Sequence, residues 1–200
     1  FLDDYAFYIE ALLSCYLIAH DEEYLLEARD RCREALRFFG SEKSDFLFYT
    51  SSESEELIAR NTETSDNVIP SSNSVMAHNL FYLCNYFGDP EWIERSERML
   101  SAISEELVHH APGYANWASL ALRQVFPLKE VVIVGKDVDE KLRAIYREGV
   151  TNTIFAVSAS SSDLPLLKNR YVKNRTMIYV CKNKTCDLPV ESVDEAFAGL

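Results

Sequence analysis

Two stretches of this chain concentrate the side chains that chemistry needs. The first is SDNVIPSSNS, residues 65–74, with an acid, two amides, a proline and four serines. Pro70 forces Ile69 into an extended conformation, and Ser71, Ser72, Asn73 and Ser74 are all good helix caps. Capping accounts for one or two of these residues and leaves the density of the cluster unexplained. An acid beside amides at a helix start also suits a hydroxyl-rich ligand, so cap and binding rim both stay open. The second stretch, LDDYAF, puts Asp3, Asp4 and Tyr5 at the start of the first helix. Carboxylates there complement the helix dipole, worth a few tenths to ~1 kcal/mol each. If the two helix ends converge, Asp4 and Asp66 form an acid and base pair of the kind glycosidic chemistry requires. Asn67, Ser71, Asn73, Ser74 and Tyr5 would then hold the substrate.

Five cysteines are present, and Cys15, Cys32 and Cys84 fall on apolar helical stripes, as small buried thiols do. Cys181 and Cys186 form C-x4-C in CKNKTC. Metal knuckles usually place two residues between cysteines, and no second pair or histidine lies nearby, so no metal is expected. A turn that brings the two thiols together would make them a redox candidate. His109 and His110 close a helix, where a cation complements the dipole. VVIVGKD ends on a single glycine, without G-x-G-x-x-G or a P-loop lysine, so no nucleotide cofactor is expected.

The elements that must position these groups change character along the chain. From Leu2 to Ala19 apolar residues recur at three- and four-residue spacing, which predicts a helix. Asp21 caps a second helix that stops near Gly40. DFLFYTSSESEELIAR predicts a β-hairpin near 46–59. SNSVMAHNLFYLCNYFG is a third helix ending at Gly88, and Asp89 with Pro90 at once begins a fourth. PGYANWASLALRQVF is a short fifth. Tight turns make these helices antiparallel pairs.

After Phe126 the period changes. KEVVIVG and NTIFAVSAS are buried-strand runs on either side of the amphipathic helix DVDEKLRAIYREG, a βαβ unit. TMIYVCKNKTC adds a third strand and VESVDEAFAGL a terminal helix. The expected organisation is a mainly α part over residues 1–127 and an α/β segment over 128–200. A formal net charge of -12 argues against nucleic acid or anionic membrane as partner. No apolar run is long enough to span a bilayer. The odd cysteine count without secretory features points to a reducing compartment, so a cytoplasmic location is expected.

The series LDDYAF, FYTSSESEELIAR, DNVIPSSNSVMAHNLFYL, EVVIVG and YVCKNKTCDLPVESVDEAF resembles the C-terminal part of the YyaL-like thioredoxin-domain-containing family, which includes spermatogenesis-associated proteins of animals. The resemblance implies helix pairs of an incomplete (α/α)6 toroid, like those of six-hairpin glycosidases and sugar epimerases, followed by the small α/β segment. It also implies a partner, an N-terminal thioredoxin-like domain of the full-length protein, absent from this sequence. Asp66, Asn67, Pro70, Ser71, Asn73 and Ser74 match the family's D-x-x-x-P-S-G-N-S loop. Ser72 replaces its glycine, and a positive φ there would make serine strain or reshape the loop. Two functions follow as expectations. One is a carbohydrate-active or carbohydrate-binding toroid, with a sugar-type small molecule at Asp66 and Asp4. The other is a non-catalytic scaffold working with the thioredoxin-like domain. The resemblance carries no reaction, since fold does not imply function.

Overall fold

The computed structural model describes residues 1–53, 59–182 and 185–198. It divides into two compact units, Phe1–Cys84 with Asp89–Leu122, and Asn85–Gly88 with Arg123–Leu200. Eight α-helices and a four-stranded mixed sheet are seen among the described residues. The chain is mainly α with a small α/β segment.

In the first unit, α1 (Leu2–Ala19) and α2 (Glu22–Phe39) pack as a hairpin. The reversal is built into two residues. His20 ends α1 in the left-handed conformation at φ 55, and Asp21 caps α2 by accepting from the Glu23 N–H at 3.1 Å. Leu2, Ala6, Ile9, Leu12, Leu13 and Tyr16 of α1 are buried, as are Leu25, Ala28, Cys32, Ala35 and Phe39 of α2. Both sets follow the three- and four-residue spacing read from the sequence. Each large aliphatic side chain so buried contributes about 1.5–3 kcal/mol of transfer free energy.

α3 (Ser72–Phe87) is buried over most of its length. Gly88 at φ 74 ends it, and Asp89 caps α4 (Pro90–Ala102) through the Glu91 N–H at 3.1 Å. Ser96 of α4 donates to the Ala77 carbonyl of α3 at 2.8 Å, which fixes one helix against the other. α4 stops at Ile103 (φ -111), and α5 (Ser104–His109) follows. A 3-10 turn, Ala111–Tyr114, leads into α6 (Ala115–Val125).

The hairpin expected near 46–59 is not formed in its described part. Residues 46–53 carry no strand, and 54–58 lie outside the described residues. The physical reason is that the backbone of 47–52 is already engaged elsewhere. Leu47 bonds the Asn73 side chain, Phe48 N–H the Phe39 carbonyl, Tyr49 N–H the Asn61 carbonyl and Ser52 N–H the Phe38 carbonyl. Arg60 holds this loop from below, donating to the Phe38 and Thr50 carbonyls and stacking 4.3 Å over the Phe48 ring.

The second unit contains the βαβ unit. β1 (Lys129–Val134) and β2 (Thr153–Ser158) pair in parallel, Lys129 opposite Thr153 through Val134 opposite Ser158, with α7 (Val138–Arg147) between them in sequence. β3 (Met177–Lys182) lies antiparallel on the other side of β1, and β4 (Thr185–Cys186) extends the edge. The strand order is β2-β1-β3-β4. α8 (Val193–Phe197) ends the described chain, capped by Ser192. β1 and β2 are continuous apolar runs because their central residues are buried on both faces.

Gly135 leaves β1 at φ 143, and an added Cβ would stand 2.5 Å from the Arg175 carbonyl oxygen and 2.6 Å from Thr176 Cα. Gly149 also has a positive φ, 69, but open space around it. Gly135→Ala should therefore destabilise this unit by about 2 kcal/mol or more, combining backbone strain with a backbone clash. Gly149→Ala should lose only about 1 kcal/mol from strain. Urea denaturation of the two variants checks this, and equal losses would refute the close approach at Gly135.

Candidate functional site

Ser71 opens α3. Its hydroxyl accepts from the Ser74 N–H at 3.3 Å, three positions along, which makes it the helix cap. Asp66 holds the loop in place around that cap. Its Oδ1 accepts from the Ser71 N–H at 2.9 Å and from the Ser74 hydroxyl at 3.0 Å, and its Oδ2 accepts from the Asn116 N–H at 2.8 Å. The Asp66 N–H in turn bonds the Gly113 carbonyl at 2.7 Å. One carboxylate thus joins the starts of two helices, α3 and α6, where the dipole favours negative charge. Asn116 completes the ring by donating its side-chain amide to the Ser74 hydroxyl at 2.9 Å.

Asn73 has 0% exposure and is fully engaged. Its amide nitrogen donates to the Leu47 and Glu63 carbonyls, each at 2.9 Å, and its oxygen accepts from the Leu47 N–H at 2.7 Å. Ser71 is also engaged, donating to the Thr64 carbonyl at 2.9 Å, which additionally accepts from the Trp117 indole at 2.7 Å. His78, further along α3, bonds the Asn116 carbonyl through Nε2 at 2.9 Å. The result is a buried polar lattice whose members satisfy one another.

Beside this lattice lies a cavity of about 170 Å³, lined by Asp3, Tyr49, Glu63, Asn67, Ser72 and the apolar edge Val68–Ile69–Pro70. Tyr49 donates its hydroxyl to Asp3 Oδ2 at 3.1 Å, and its backbone carbonyl accepts from the Leu2 N–H at 3.0 Å. The hydrogen bond to Asp3 is the main reason the phenol is held above its ordinary pKa, with burial and the Asp3, Glu63 and Asp4 charges adding to it. Asp3 Oδ1 and Ser72 Oγ are buried without a hydrogen-bond partner among the described residues. Ser72 is 1% exposed, and its backbone does not have a positive φ but begins α3. A serine at this position therefore imposes no left-handed strain and adds a hydroxyl without a partner among the described residues.

The expected residues separate into three groups. Asp66, Ser71, Asn73 and Ser74 come together, as the hydrogen-bonded support behind the cavity. Asn67 lies on the cavity wall and is exposed. Asp4 and Tyr5 lie outside the lining. Asp4 is 76% exposed and bonds the first backbone nitrogen of the chain, and Tyr5 packs edge-on against Phe39 at 5.4 Å. Neither Asp4 nor Asp66, the two carboxylates expected to pair if the helix ends converged, lines the cavity. Asp3 lines the cavity instead, because Leu2 and Ala6 point inward and a step of about 100° per residue leaves Asp3 beside the core and Asp4 on the far side. A helical projection of LDDYAF carries that signal. Tyr49 and Glu63 had no signal, since they sit in irregular chain brought in by Asn73. Cys181 and Cys186 are bonded to each other across β3 and β4. Among the described residues no cluster of three or more metal-type ligands occurs, and no helix is long and apolar enough to cross a membrane.

No protein-family model matches the chain. It is similar to spermatogenesis-associated protein 20 of mouse and of rat, each 28% identical over 95% of this chain, and to the human protein of that name at 27% over the same share. This similarity fits a relative of that family. The chain spans about a quarter of the length of these relatives, 26% in each case.

Removing Asn73 leaves the Leu47 N–H and two carbonyls unpaired in a buried site. Asn73→Ala should destabilise the chain by about 3 kcal/mol, and Asp66→Ala by about 2 kcal/mol. Asn67→Ala, on the exposed wall, should stay within ~0.5 kcal/mol of wild type. Chemical denaturation of the three variants gives the order, and a tolerant Asn73 would contradict the lattice.

Proposed function

We propose that residues 1–127 are helix pairs of an (α/α)6 toroid, and that the cavity at Asp3 and Ser72 binds a small, neutral, hydroxyl-rich molecule of the monosaccharide class. The observation that supports this is the pair of unsatisfied oxygens, Asp3 Oδ1 and Ser72 Oγ, on residues that line one cavity. Buried polar atoms without partners are rare in folded proteins, and each leaves a donor or acceptor for something else to meet. A sugar offers both, since each hydroxyl donates one hydrogen bond and accepts others. Asp3 Oδ1 accepts a hydrogen bond from a sugar hydroxyl, and the Ser72 hydroxyl either donates or accepts one.

The rest of the lining agrees with that chemistry. Asp3 and Glu63 repel an anionic ligand, while Val68, Ile69 and Pro70 give an apolar edge for the carbon face of a ring. At about 170 Å³ the cavity is smaller than the usual range for drug-sized ligands, roughly 300–1,000 Å³, and suits a single ring. Acid–base chemistry, if the site has any, falls to Asp3 and Glu63, because the Asp66 carboxylate is taken up by three donors. The scaffold reading has its own support in that same fact. Most polar groups of 65–74 bond within the protein, as a purely architectural loop would require.

Thermal stability of the chain against a panel of monosaccharides separates the two readings. A ligand at a hundred times its dissociation constant adds ~2.7 kcal/mol, a shift of several degrees. The stabilisation should be lost in Ser72→Ala and in Asp3→Asn, which leave the Asp66 lattice intact. Folded wild-type protein that no sugar stabilises would move the assignment to the scaffold, and variants that respond like wild type would place the binding outside this cavity.

A further inference from the structure

We propose that Cys181 and Cys186 form a thiol–disulfide exchange site, in which an external dithiol attacks Cys186 and Arg170 steadies the departing Cys181 thiolate. The two cysteines occupy directly opposed positions of β3 and β4 and are bonded to each other. Their surroundings are unequal. Cys181 is 0% exposed, and Cys186 is open to solvent. A nucleophile from outside therefore reaches the Cys186 sulfur and not that of Cys181.

Arg170 gives the pair its electrostatic character. Its two terminal nitrogens stand 3.6 Å from Cys181 Sγ and 3.5 Å from Cys186 Sγ, so the guanidinium fork spans the bond. The guanidinium lies 5.0 Å from the Tyr179 ring centre, and the Tyr179 hydroxyl donates back to the Arg170 carbonyl at 2.9 Å, which fixes the arginine from both ends. Glu130, 8% exposed, sits opposite Cys181 on β1. Burial lowers the Arg170 pKa, and the Glu130 charge opposes that shift, so the arginine and the acid act on each other. Arg170 and Glu130 therefore bias the sulfurs in opposite senses. The cation favours a thiolate and the carboxylate disfavours it. Cys32 marks the contrast: burial is the main cause that pushes its buried, free thiol up to about 12, against the pull of the Arg95 and Arg33 charges.

The exchange balances without another oxidant. One thiolate of the dithiol attacks Cys186 Sγ, a mixed disulfide forms there, and the Cys181–Cys186 bond breaks to leave Cys181 as thiolate beside Arg170. The second thiol of the donor then attacks its own sulfur in the mixed disulfide and expels Cys186. Two electrons have passed to the cysteines, the donor is left as a disulfide, and solvent supplies any protons the new thiols take up.

The test uses the full oxidised chain with dithiothreitol as the dithiol, quenched by alkylation and read as the Cys181 and Cys186 peptides by mass spectrometry. Wild type should be reduced while folded. Arg170→Met should slow reduction about threefold or more, because the leaving thiolate is less stabilised, and Glu130→Gln should speed it. Arg170→Lys, which keeps the charge and loses the fork, should fall between wild type and the methionine variant, and serves if the latter does not fold. Cys181→Ser should form a mixed disulfide with glutathione disulfide, and Cys186→Ser should not. Reduction only on unfolding, rates unchanged in both charge variants, or capture at Cys181 in place of Cys186 would each overturn the proposal in favour of a structural staple.

Discussion

The arrangement of the helical unit depends on one buried amide. Asn73 stands on the first turn of α3 and bonds both backbone groups of Leu47 and the carbonyl of Glu63. A carboxylate at this position could accept only one of the three bonds, and a serine could not span the two segments. An amide has two donors and an acceptor on one rigid plane, which is what two carbonyls and one N–H require. The loop before α3 and the chain around Leu47 are thereby drawn to the same helix end. Tyr49 follows two residues after Leu47, and its hydroxyl reaches Asp3 on α1.

That anchoring separates the polar residues into two kinds. Asp66, Ser71, Asn73 and Ser74 are satisfied by one another and by backbone, so they set geometry and have little capacity left for a ligand. Asp3 and Ser72, a short distance away in the same unit, each keep one oxygen without a partner. A rigid satisfied lattice behind a few unsatisfied groups is the arrangement a small-molecule site needs, because the ligand then finds its partners already placed.

The α/β unit shows the same economy with charge. Around the disulfide, one cation and one buried acid act on two sulfurs of different exposure, and strand pairing holds them in register. In the helical unit burial is the main influence on the free Cys32 thiol and pushes it up, although the Arg95 and Arg33 charges pull the other way. Exposure and a held guanidinium distinguish the surroundings of Cys181 and Cys186 from those of the buried Cys32.

The local rules of the chain were legible in the sequence. Asp21, Asp89 with Pro90, and Gly88 mark helix ends because capping and proline geometry act within a few residues. The runs at 129–134 and 153–158 read as strands because burial on both faces leaves a continuous apolar signature. The density of polar residues at 65–74 marks where the fold gathers its hydrogen-bonded lattice, and the C-x4-C spacing marks the two cysteines that bond to each other. What only the tertiary structure decided was long-range. The backbone of 47–52 was drawn into bonds with partners up to 26 residues away, so strand-like composition did not become strand. The choice of Asp3 over Asp4 followed from which side of α1 meets the core. Asp66 turned out to be a latch, since only the fold shows that Ser71, Ser74 and Asn116 all reach it. Side-chain spacing encodes contacts made within one element, and which groups remain unpaired is known only when every distant partner is in place.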